Sequence, residues 1–224
     1  MATWRFGCAL LVLCWSFTSS FAESTNTWQS VVRHQSGQAE KVQSLTARQI
    51  ELVRRVNAYF NQLTMLRGSF VQTSSDGKRQ RGKFHLLRPG RFRFDFAPPS
   101  RVVIISDGKY LAVQDHDLRT DDRRDLNHTP FVALLRADVD LQRDAVISEV
   151  GETDDAIMIR FSDVKAEMGT IKLFLSLKPT VQLKGWIVRD NQNVDTRIDL
   201  VDMQAVSNID PRLFDPATRL ELRQ

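Results

Sequence analysis

A series of short strand-like runs follows one another along this chain, and in its first half only tight turn signals separate them. The predicted strands are Gly68–Thr73, Gly82–Leu87, Arg91–Phe96, Val102–Ile105, Tyr110–Gln114, Val146–Val150, Ile157–Phe161, Ile171–Leu177, Trp186–Val188 and Ile198–Met203. Between the early runs stand Ser75-Asp76-Gly77, Arg88-Pro89-Gly90 and Asp107-Gly108. Because parallel neighbours need a long crossover connection, links this short allow only antiparallel pairing. The pattern therefore predicts one long, meandering antiparallel sheet.

Two helices are predicted to accompany the sheet. Thr46 and Gln49 have the spacing of a capping box, and the residues behind them form an apolar stripe at helical spacing, namely Ile50, Val53, Val56, Phe60 and Leu63. Thr129 as N-cap, with Pro130 at the first helical position, predicts a short apolar helix that ends at Leu135. A sheet of this many strands curls, and helices on its concave side leave either a packed core or a cavity beneath a lid.

The stretch "HLLRPGRFRFDFAPP" carries the most unusual strand. Phe92, Phe94 and Phe96 alternate with charged residues, so the three rings share one face of the strand and the charges share the other. The candidate cavity residues are Phe84, Leu86, Phe92, Phe94 and Phe96 in the wall and Phe131, Leu134 and Leu135 in the roof. Periodicity alone fits the closed core of an ordinary sandwich better than a cavity, so both readings stay open at this point.

The first 22 residues have the composition of a secretory signal. Met1–Arg5 carries one positive charge, Phe6–Phe17 is apolar but too short to span a membrane, and Ser20-Phe21-Ala22 has the small-x-small pattern of a cleavage site. We expect residues 1–22 to be removed. Residues 23–45 are polar and lack periodicity, which predicts a mobile lead-in, and residues 46–224 form the folded domain.

The two cysteines add to this interpretation. Cys8 and Cys14 both lie in the predicted signal, so the exported chain has no disulfide and no thiol chemistry. Leu13 stands before Cys14 where lipid attachment needs a small residue, and this argues against a lipoprotein anchor. The protein is therefore expected to be exported without an anchor.

Several classes of function find little support. The net charge of +4 at pH 7 is too small to indicate nucleic-acid binding, and Arg67–Val71 only faintly resembles an RNA-recognition strand. His116 lies among acidic residues, but arginines interleave with them and no second histidine has a ligand spacing, so Asp115–Asp125 is predicted to be a solvated charged loop. No nucleophile elbow or phosphate loop is present. We expect no enzyme, no metal site and no cofactor.

Five blocks, in order and with matching spacing, resemble the outer-membrane lipoprotein carrier proteins, the LolA family. They are Gly68–Gln72, Gly82–Phe84, Leu87–Phe94, Val103–Lys109 and Thr129–Phe131. The resemblance runs from about Gln49 to Phe214. It implies a mainly β fold with some α: an open (unclosed) antiparallel β-barrel of about 10–11 strands, covered by helices that form a lid over an apolar cavity.

The resemblance also implies a function. Members of the family receive lipoproteins from an inner-membrane ABC transporter, shield the acyl chains in the periplasm and pass them to an outer-membrane receptor. Arg88 matches the arginine that latches the lid backbone, and Phe92 matches an aromatic residue of partner contact. A periplasmic monomer that binds lipoprotein acyl chains is expected. A lipid-sensing regulator and a carrier of free lipid or glycolipid, on the same fold, are the alternatives.

Overall fold

The computed structural model describes residues 44–129, 131–163 and 169–217. The predicted signal of residues 1–22 and nearly all of the predicted lead-in lie outside them. The α helices are α1 (Ala47–Gln62), α2 (Val132–Leu135) and α3 (Leu141–Asp144), and two 3₁₀ helices span Leu126–His128 and Pro211–Phe214. The strands are β1 (Met65–Thr73), β2 (Arg79–Leu87), β3 (Arg91–Phe96), β4 (Val102–Asp107), β5 (Tyr110–Asp115), β6 (Thr120–Asp125), β7 (Ala145–Glu152), β8 (Ala156–Asp163), β9 (Thr170–Ser176), β10 (Gln182–Arg189) and β11 (Asp195–Ala205).

All eleven of these strands belong to one antiparallel sheet. Their order is β6-β5-β4-β3-β2-β1-β11-β10-β9-β8-β7. The first six strands and the last five form two meanders, which are joined where β1 pairs with β11, for example at Phe70 and Leu200. The edge strands β6 and β7 do not pair with each other, so the sheet stays open. The predicted open antiparallel architecture is confirmed.

The sheet is strongly curled. Four strand spacings separate β3 from β10, which corresponds to roughly 19 Å in a flat sheet. The rings of Phe94 on β3 and Trp186 on β10 are nevertheless only 6.2 Å apart between their centroids. Inward-facing side chains from distant strands therefore meet on the concave side.

Helix α1 fills one half of this concave side. Its predicted capping box is present, because the Thr46 amide donates to Gln49 Oε1 at 2.9 Å and the Gln49 amide donates to Thr46 Oγ1 at 3.3 Å. Val53, Val56 and Phe60 of the predicted stripe are buried with Leu52 in one cluster with the inner faces of β8 and β9, and half-buried Leu63 packs against it; Ile50 does not belong to the cluster. Gln49 Nε2 also donates to the Val150 carbonyl of β7 at 3.1 Å. The second meander thus has a solid core.

The segment of residues 126–144 connects the two edge strands and carries α2 and α3; we call it the lid segment. Helix α1 holds it through two asparagines. Asn61 Oδ1 accepts from the Val139 amide at 2.8 Å while Asn61 Nδ2 donates to the Val139 carbonyl at 3.0 Å. Asn57 Oδ1 accepts from the Leu141 amide at 3.2 Å. The Asn61 side chain thereby makes the two hydrogen bonds to the Val139 backbone that a neighbouring strand would make.

Two predictions about local structure are wrong. Most of the expected loop Asp115–Asp125 is the edge strand β6, which pairs with β5 along its whole length. Thr129 does not cap α2; it is buried, and its hydroxyl donates to the Leu126 carbonyl at 2.8 Å, which closes the preceding 3₁₀ turn. Phe131 is the N-cap of α2 and makes no side-chain cap hydrogen bond. Pro130 lies outside the described residues.

The outer face of β3 is covered by the C-terminal segment. Arg93 is only 3% exposed, and its guanidinium donates to Asp95 Oδ1 at 2.7 Å and to the Leu213 carbonyl at 3.3 Å. Leu213 and Phe214 pack with Leu87 in a small second apolar cluster. The alternation therefore correctly predicted that the rings and the charges of β3 lie on opposite faces. Part of the charged face, however, is covered by the C-terminal segment and is not in contact with water.

Candidate ligand-binding cavity

A cavity of about 430 Å³ lies beneath the lid segment, between the inner faces of the first meander and of β9–β11 and the end of α1. This volume is within the range of about 300–1,000 Å³ that small-molecule sites occupy. All eight candidate residues from the sequence line it: Phe84, Leu86, Phe92, Phe94 and Phe96 from the sheet, and Phe131, Leu134 and Leu135 from the lid segment. The structure therefore brings them into one wall. Their role in holding acyl chains stays a prediction.

The aromatic residues form a connected network around Phe94. Its ring stacks on Phe84 at 5.6 Å and meets Phe70 and Phe92 edge to face at 5.1 and 5.9 Å. Trp186 extends the network from Phe94 to Phe131 of the lid segment, at 6.2 and 5.9 Å. Edge-to-face and offset contacts of this kind are favourable for aromatic rings. The lid segment and two distant parts of the sheet thus share one apolar surface.

Several of these rings face inward and are still only half-buried. Phe92, Phe94, Phe131 and Trp186 all line the cavity and all keep accessible surface. In a close-packed interior such side chains would be in contact on every side. The single curled sheet therefore encloses a space, and these residues are not the filled core of a two-sheet sandwich.

The sequence did not reveal the part of the wall that β1, β10, β11 and the end of α1 contribute. The additional apolar lining residues include Phe60, Leu63, Leu66, Phe70, Leu183, Trp186, Ile198 and Leu200. Leu66 and Phe70 do alternate along β1, so period two carried a signal for them. The pairing of β1 with β11, which brings the other strands to the cavity, joins residues more than a hundred positions apart and leaves no local signal.

Arg88 closes one side of the cavity. It follows β2 directly, and its Nη2 donates to the Arg136 carbonyl just after α2. The neighbouring Gly90 amide donates to the Leu135 carbonyl at 3.0 Å. Burial lowers the pKa of the Arg88 guanidinium from its ordinary value. The hydrogen bond to lid backbone is the contact that the family resemblance implied, and its function as a latch stays a prediction.

The lid segment is tied internally beside this contact. Arg136 Nη1 donates to Asp144 Oδ1 at 2.8 Å, and Arg143 Nη2 donates to Asp144 Oδ2 at 2.7 Å. These hydrogen bonds to Asp144, and a further one to Asp138, raise the pKa of Arg143. The residues that follow α2 are thus joined to one another by side-chain ion pairs.

Comparison with known proteins identifies the family. The sequence model described as "Outer membrane lipoprotein carrier protein LolA" matches residues 61–217. The chain belongs to the LolA family. The match covers the whole sheet, the lid segment and the C-terminal segment, and it begins near the end of α1. Membership supports a general role in carrying lipoproteins.

Two relatives identified by sequence agree with the LolA assignment. The chain is 26% identical over 218 residues to an outer-membrane lipoprotein carrier protein of Methylococcus capsulatus, with 96% of this chain and 93% of that protein covered. A carrier of the same description from Chromobacterium violaceum is 27% identical over 173 residues, covering 74% and 83%. A LolA superfamily structure from Nitrosomonas europaea aligns with a TM-score of 0.41 at 10% identity, covering 73% of this chain and 97% of that one.

The cavity of this LolA-family chain is not wholly apolar. Within the part of the chain that the structure describes, four lining residues carry buried polar atoms that have no hydrogen-bond partner: Gln72 Oε1, Arg88 Nε and Nη1, Arg124 Nη2 and Trp186 Nε1. Gln72 and Trp186 lie in one cross-strand row, each paired with Ile198 of β11. Buried groups of this kind normally have partners, so they are the places where a ligand can gain hydrogen bonds.

The acidic region around His116 shows no ligand set. Within residues 44–129, 131–163 and 169–217, no three His, Cys, Asp or Glu side chains come together as a metal site would require. Asp121 is held by Arg123, which lowers the pKa of the carboxyl, followed by a smaller contribution from Gln114.

Among the same residues, no α helix combines the length and the apolar character that crossing a bilayer requires.

Proposed function

We propose that this protein carries lipoproteins through the periplasm by enclosing their acyl chains in the cavity beneath the lid segment. It takes them from an inner-membrane ABC transporter and delivers them to a receptor at the outer membrane. The observation that carries the proposal is an aromatic cavity whose cover is held to the sheet by the Arg88 side chain and the Gly90 amide. Membership of the LolA family and the names of the relatives support it.

The size of the energetic problem explains the wall. Exposing an acyl chain of about 16 methylenes to water costs roughly 0.8 kcal/mol of free energy per methylene, or about 13 kcal/mol in all. Only a largely apolar surface can offset such a cost. The network from Phe84 through Phe94 to Trp186 and Phe131 supplies it.

Release requires an interaction that raises the free energy of the loaded state, and the lid segment provides one. Cargo that enters parts the lid segment from the sheet and breaks the bond from Arg88 to the Arg136 carbonyl. A guanidinium that loses its acceptor in a half-buried site raises the free energy of the loaded state. The carrier therefore holds its cargo less tightly than the apolar contact area alone would give, and it can pass the cargo on.

Location and partners are part of the proposal. The signal pattern of residues 1–22 supports export, and the names of the relatives support a periplasmic site. Half-buried Phe92, which lies beside the Arg88 turn, is the proposed contact for the partner proteins. We propose binding and handover without catalysis, and a monomer suffices for both.

Replacing the latch separates loading from delivery. Arg88→Leu should load acylated cargo at least as well as the natural protein but transfer much less of it, because closing no longer regains the Arg136 bond. The measurement is transfer from loaded carrier to the receptor in a reconstituted assay. Arg67→Leu is the matched control, since Arg67 is exposed and donates to Gln204 on the other side of the sheet. Equal transfer by the Arg88 variant and the natural protein would refute the latch.

The nature of the cargo has its own test. Lipids extracted from protein purified from the periplasm are identified by mass spectrometry. Acylated protein in the extract supports lipoprotein transport. Free lipid or glycolipid alone contradicts it and points to a lipid carrier on the same fold.

A further inference from the structure

Arg124 is a second arginine in the cavity wall. It lies on β6 opposite Leu111 of β5, and directly paired residues of antiparallel strands share a face. The same row continues through Ser106 to Phe92 and Leu86, so Arg124 belongs to the concave side. Its Nη2 is buried, and none of the described residues accepts a hydrogen bond from it. The next residue back, Arg123, has the opposite orientation and pairs with Asp121 outside the cavity.

Arg88 lies toward the same end of the strands as Arg124, with β2 and β6 four strand spacings apart around the curled sheet. It stands two residues beyond Leu86, which is in the Arg124 row, and it lines the same space. Its Nη2 is used by the lid segment, while Nε and Nη1 are buried without partners. Both guanidinium groups thus line one space and carry buried N–H donors that no described residue accepts from. Arginine stays protonated at any ordinary pH, so the two charges persist.

No carboxylate neutralises these charges. Across the described ranges, neither Arg88 nor Arg124 has an acidic side chain within ion-pair distance. The acidic lining residue Asp190 follows β10 and lies near the Asp195 end of β11, whereas the Arg124 row reaches β1 at Leu66, beside Ala205 at the other end. Ten residue steps along β11 correspond to roughly 30 Å. The cavity is therefore cationic at one end only.

We propose that Arg124 and Arg88 form a cationic subsite that holds an oxyanion headgroup, a carboxylate or a phosphate, of an amphiphile whose hydrocarbon tail lies against the aromatic wall. A neutral carbonyl would accept hydrogen bonds but leave both charges uncompensated, while an oxyanion does both, in charge-assisted hydrogen bonds. The inference rests on the proposed function only in that the cavity must be a ligand site. It does not require that the ligand be a lipoprotein.

The test compares an acid with its own ester in the same cavity. Fluorescence titration measures the affinities of cis-parinaric acid and its methyl ester at pH 8. A charge-assisted hydrogen bond contributes enough for a factor of about ten or more in affinity, so the acid should bind at least about tenfold more tightly. Arg124→Gln should remove most of this preference, chiefly by weakening binding of the acid. Arg124→Lys, which keeps the charge, should retain most of the preference.

Arg123→Gln is the matched control, because it removes the same charge from the adjacent residue on the outer face. It should leave both affinities as they are. Competition by palmitate, by lysophosphatidic acid and by neutral monopalmitoylglycerol then separates carboxylate from phosphate as the natural headgroup. The anion that competes more strongly shows whether the natural headgroup is a carboxylate or a phosphate.

The contrary outcomes are distinct. Equal affinity for acid and ester, equal loss in the Arg123 and Arg124 variants, or monopalmitoylglycerol competing as well as the anions would each overturn the cationic subsite while leaving the acyl cavity intact. Failure of both probes to bind the natural protein would overturn the subsite and the proposed cavity function together.

Discussion

Gln72 lies on β1 with its side chain in the cavity wall, and only 1% of its surface is exposed. Its Oε1 has no hydrogen-bond donor near it. Burying an amide oxygen without a hydrogen-bond partner costs free energy. The neighbours Phe70 and Ile198 are apolar and donate no hydrogen bond to it. A residue of this kind weakens the fold that contains it.

Replacement of Gln72 by leucine should therefore stabilise the protein. Removing the unpaired oxygen should raise the free energy of unfolding by about 1–3 kcal/mol and should tighten binding of a neutral hydrocarbon probe. Urea denaturation and probe titration measure the two effects. Gln80→Leu is the control. Gln80 is half-buried, pairs with Gln72 across the sheet and, among the described residues, has no buried side-chain polar atom that lacks a hydrogen-bond partner. A less stable Gln72→Leu protein would show that the amide has a structural partner.

The residues that the sequence could and could not reveal differ in a physical way. Phe92, Phe94 and Phe96 alternate within one strand, so their common face follows from local geometry. Arg88 was indicated only by the resemblance, because one arginine in a turn has no pattern of its own. Arg124 belongs to a strand without any apolar residue, so hydrophobic alternation could not show which of its side chains face inward.

At the scale of elements, the lid segment depends on α1 more than on the sheet. Asn61 satisfies both backbone groups of Val139, which is itself only 1% exposed. Without that pairing, a buried amide and a buried carbonyl would be left unsatisfied. The C-terminal half of α1 therefore acts as the support on which the cover rests.

Removing the Asn61 side chain should loosen the lid segment selectively. In Asn61→Ala, we expect the Val139 amide to exchange with solvent at least about tenfold faster, because the lost hydrogen bond is worth about 1–3 kcal/mol in a buried position. Hydrogen exchange followed by NMR measures it. Gln62→Ala, at the exposed neighbouring residue, should not change the rate. An unchanged Val139 rate in the Asn61 variant would mean that the sheet alone holds the lid segment in place.

The predicted and observed elements differ where polar residues decide the structure. Helix α1 was predicted with its cap, because its stripe and its capping box are both local signals. Strand β6 was missed, since it forms through backbone pairing with β5 and needs no apolar side chain at the edge of a sheet. The start of α2 was misplaced because the Thr129 hydroxyl is used by the preceding 3₁₀ turn.

At the scale of the whole molecule, the cavity exists because one helix covers two unequal halves of a sheet. Helix α1 fills the concave side of the second meander and reaches the first only with its last turn, where Phe60 lines the cavity. The first meander has the lid segment in place of a helix of that length. The fold therefore joins a half that is packed beneath α1 to a half that, together with the inner faces of β10 and β11, encloses the cavity beneath the lid segment.

This division predicts that a bound acyl chain has opposite effects on the two halves. With free palmitate at about 100 times its dissociation constant, the free energy of unfolding should rise by about 2.7 kcal/mol, and the Ile159 amide in the solid core should exchange more slowly. The Gly90 amide, which donates to Leu135 of the lid segment, should exchange faster, because the chain parts that contact. Arg88→Leu, saturated with palmitate to the same multiple of its own dissociation constant, is the control: its latch is already broken, so palmitate should change the Gly90 rate little. If palmitate slows Gly90 exchange as much as Ile159 exchange, the chain enters without displacing the lid segment and the release mechanism fails.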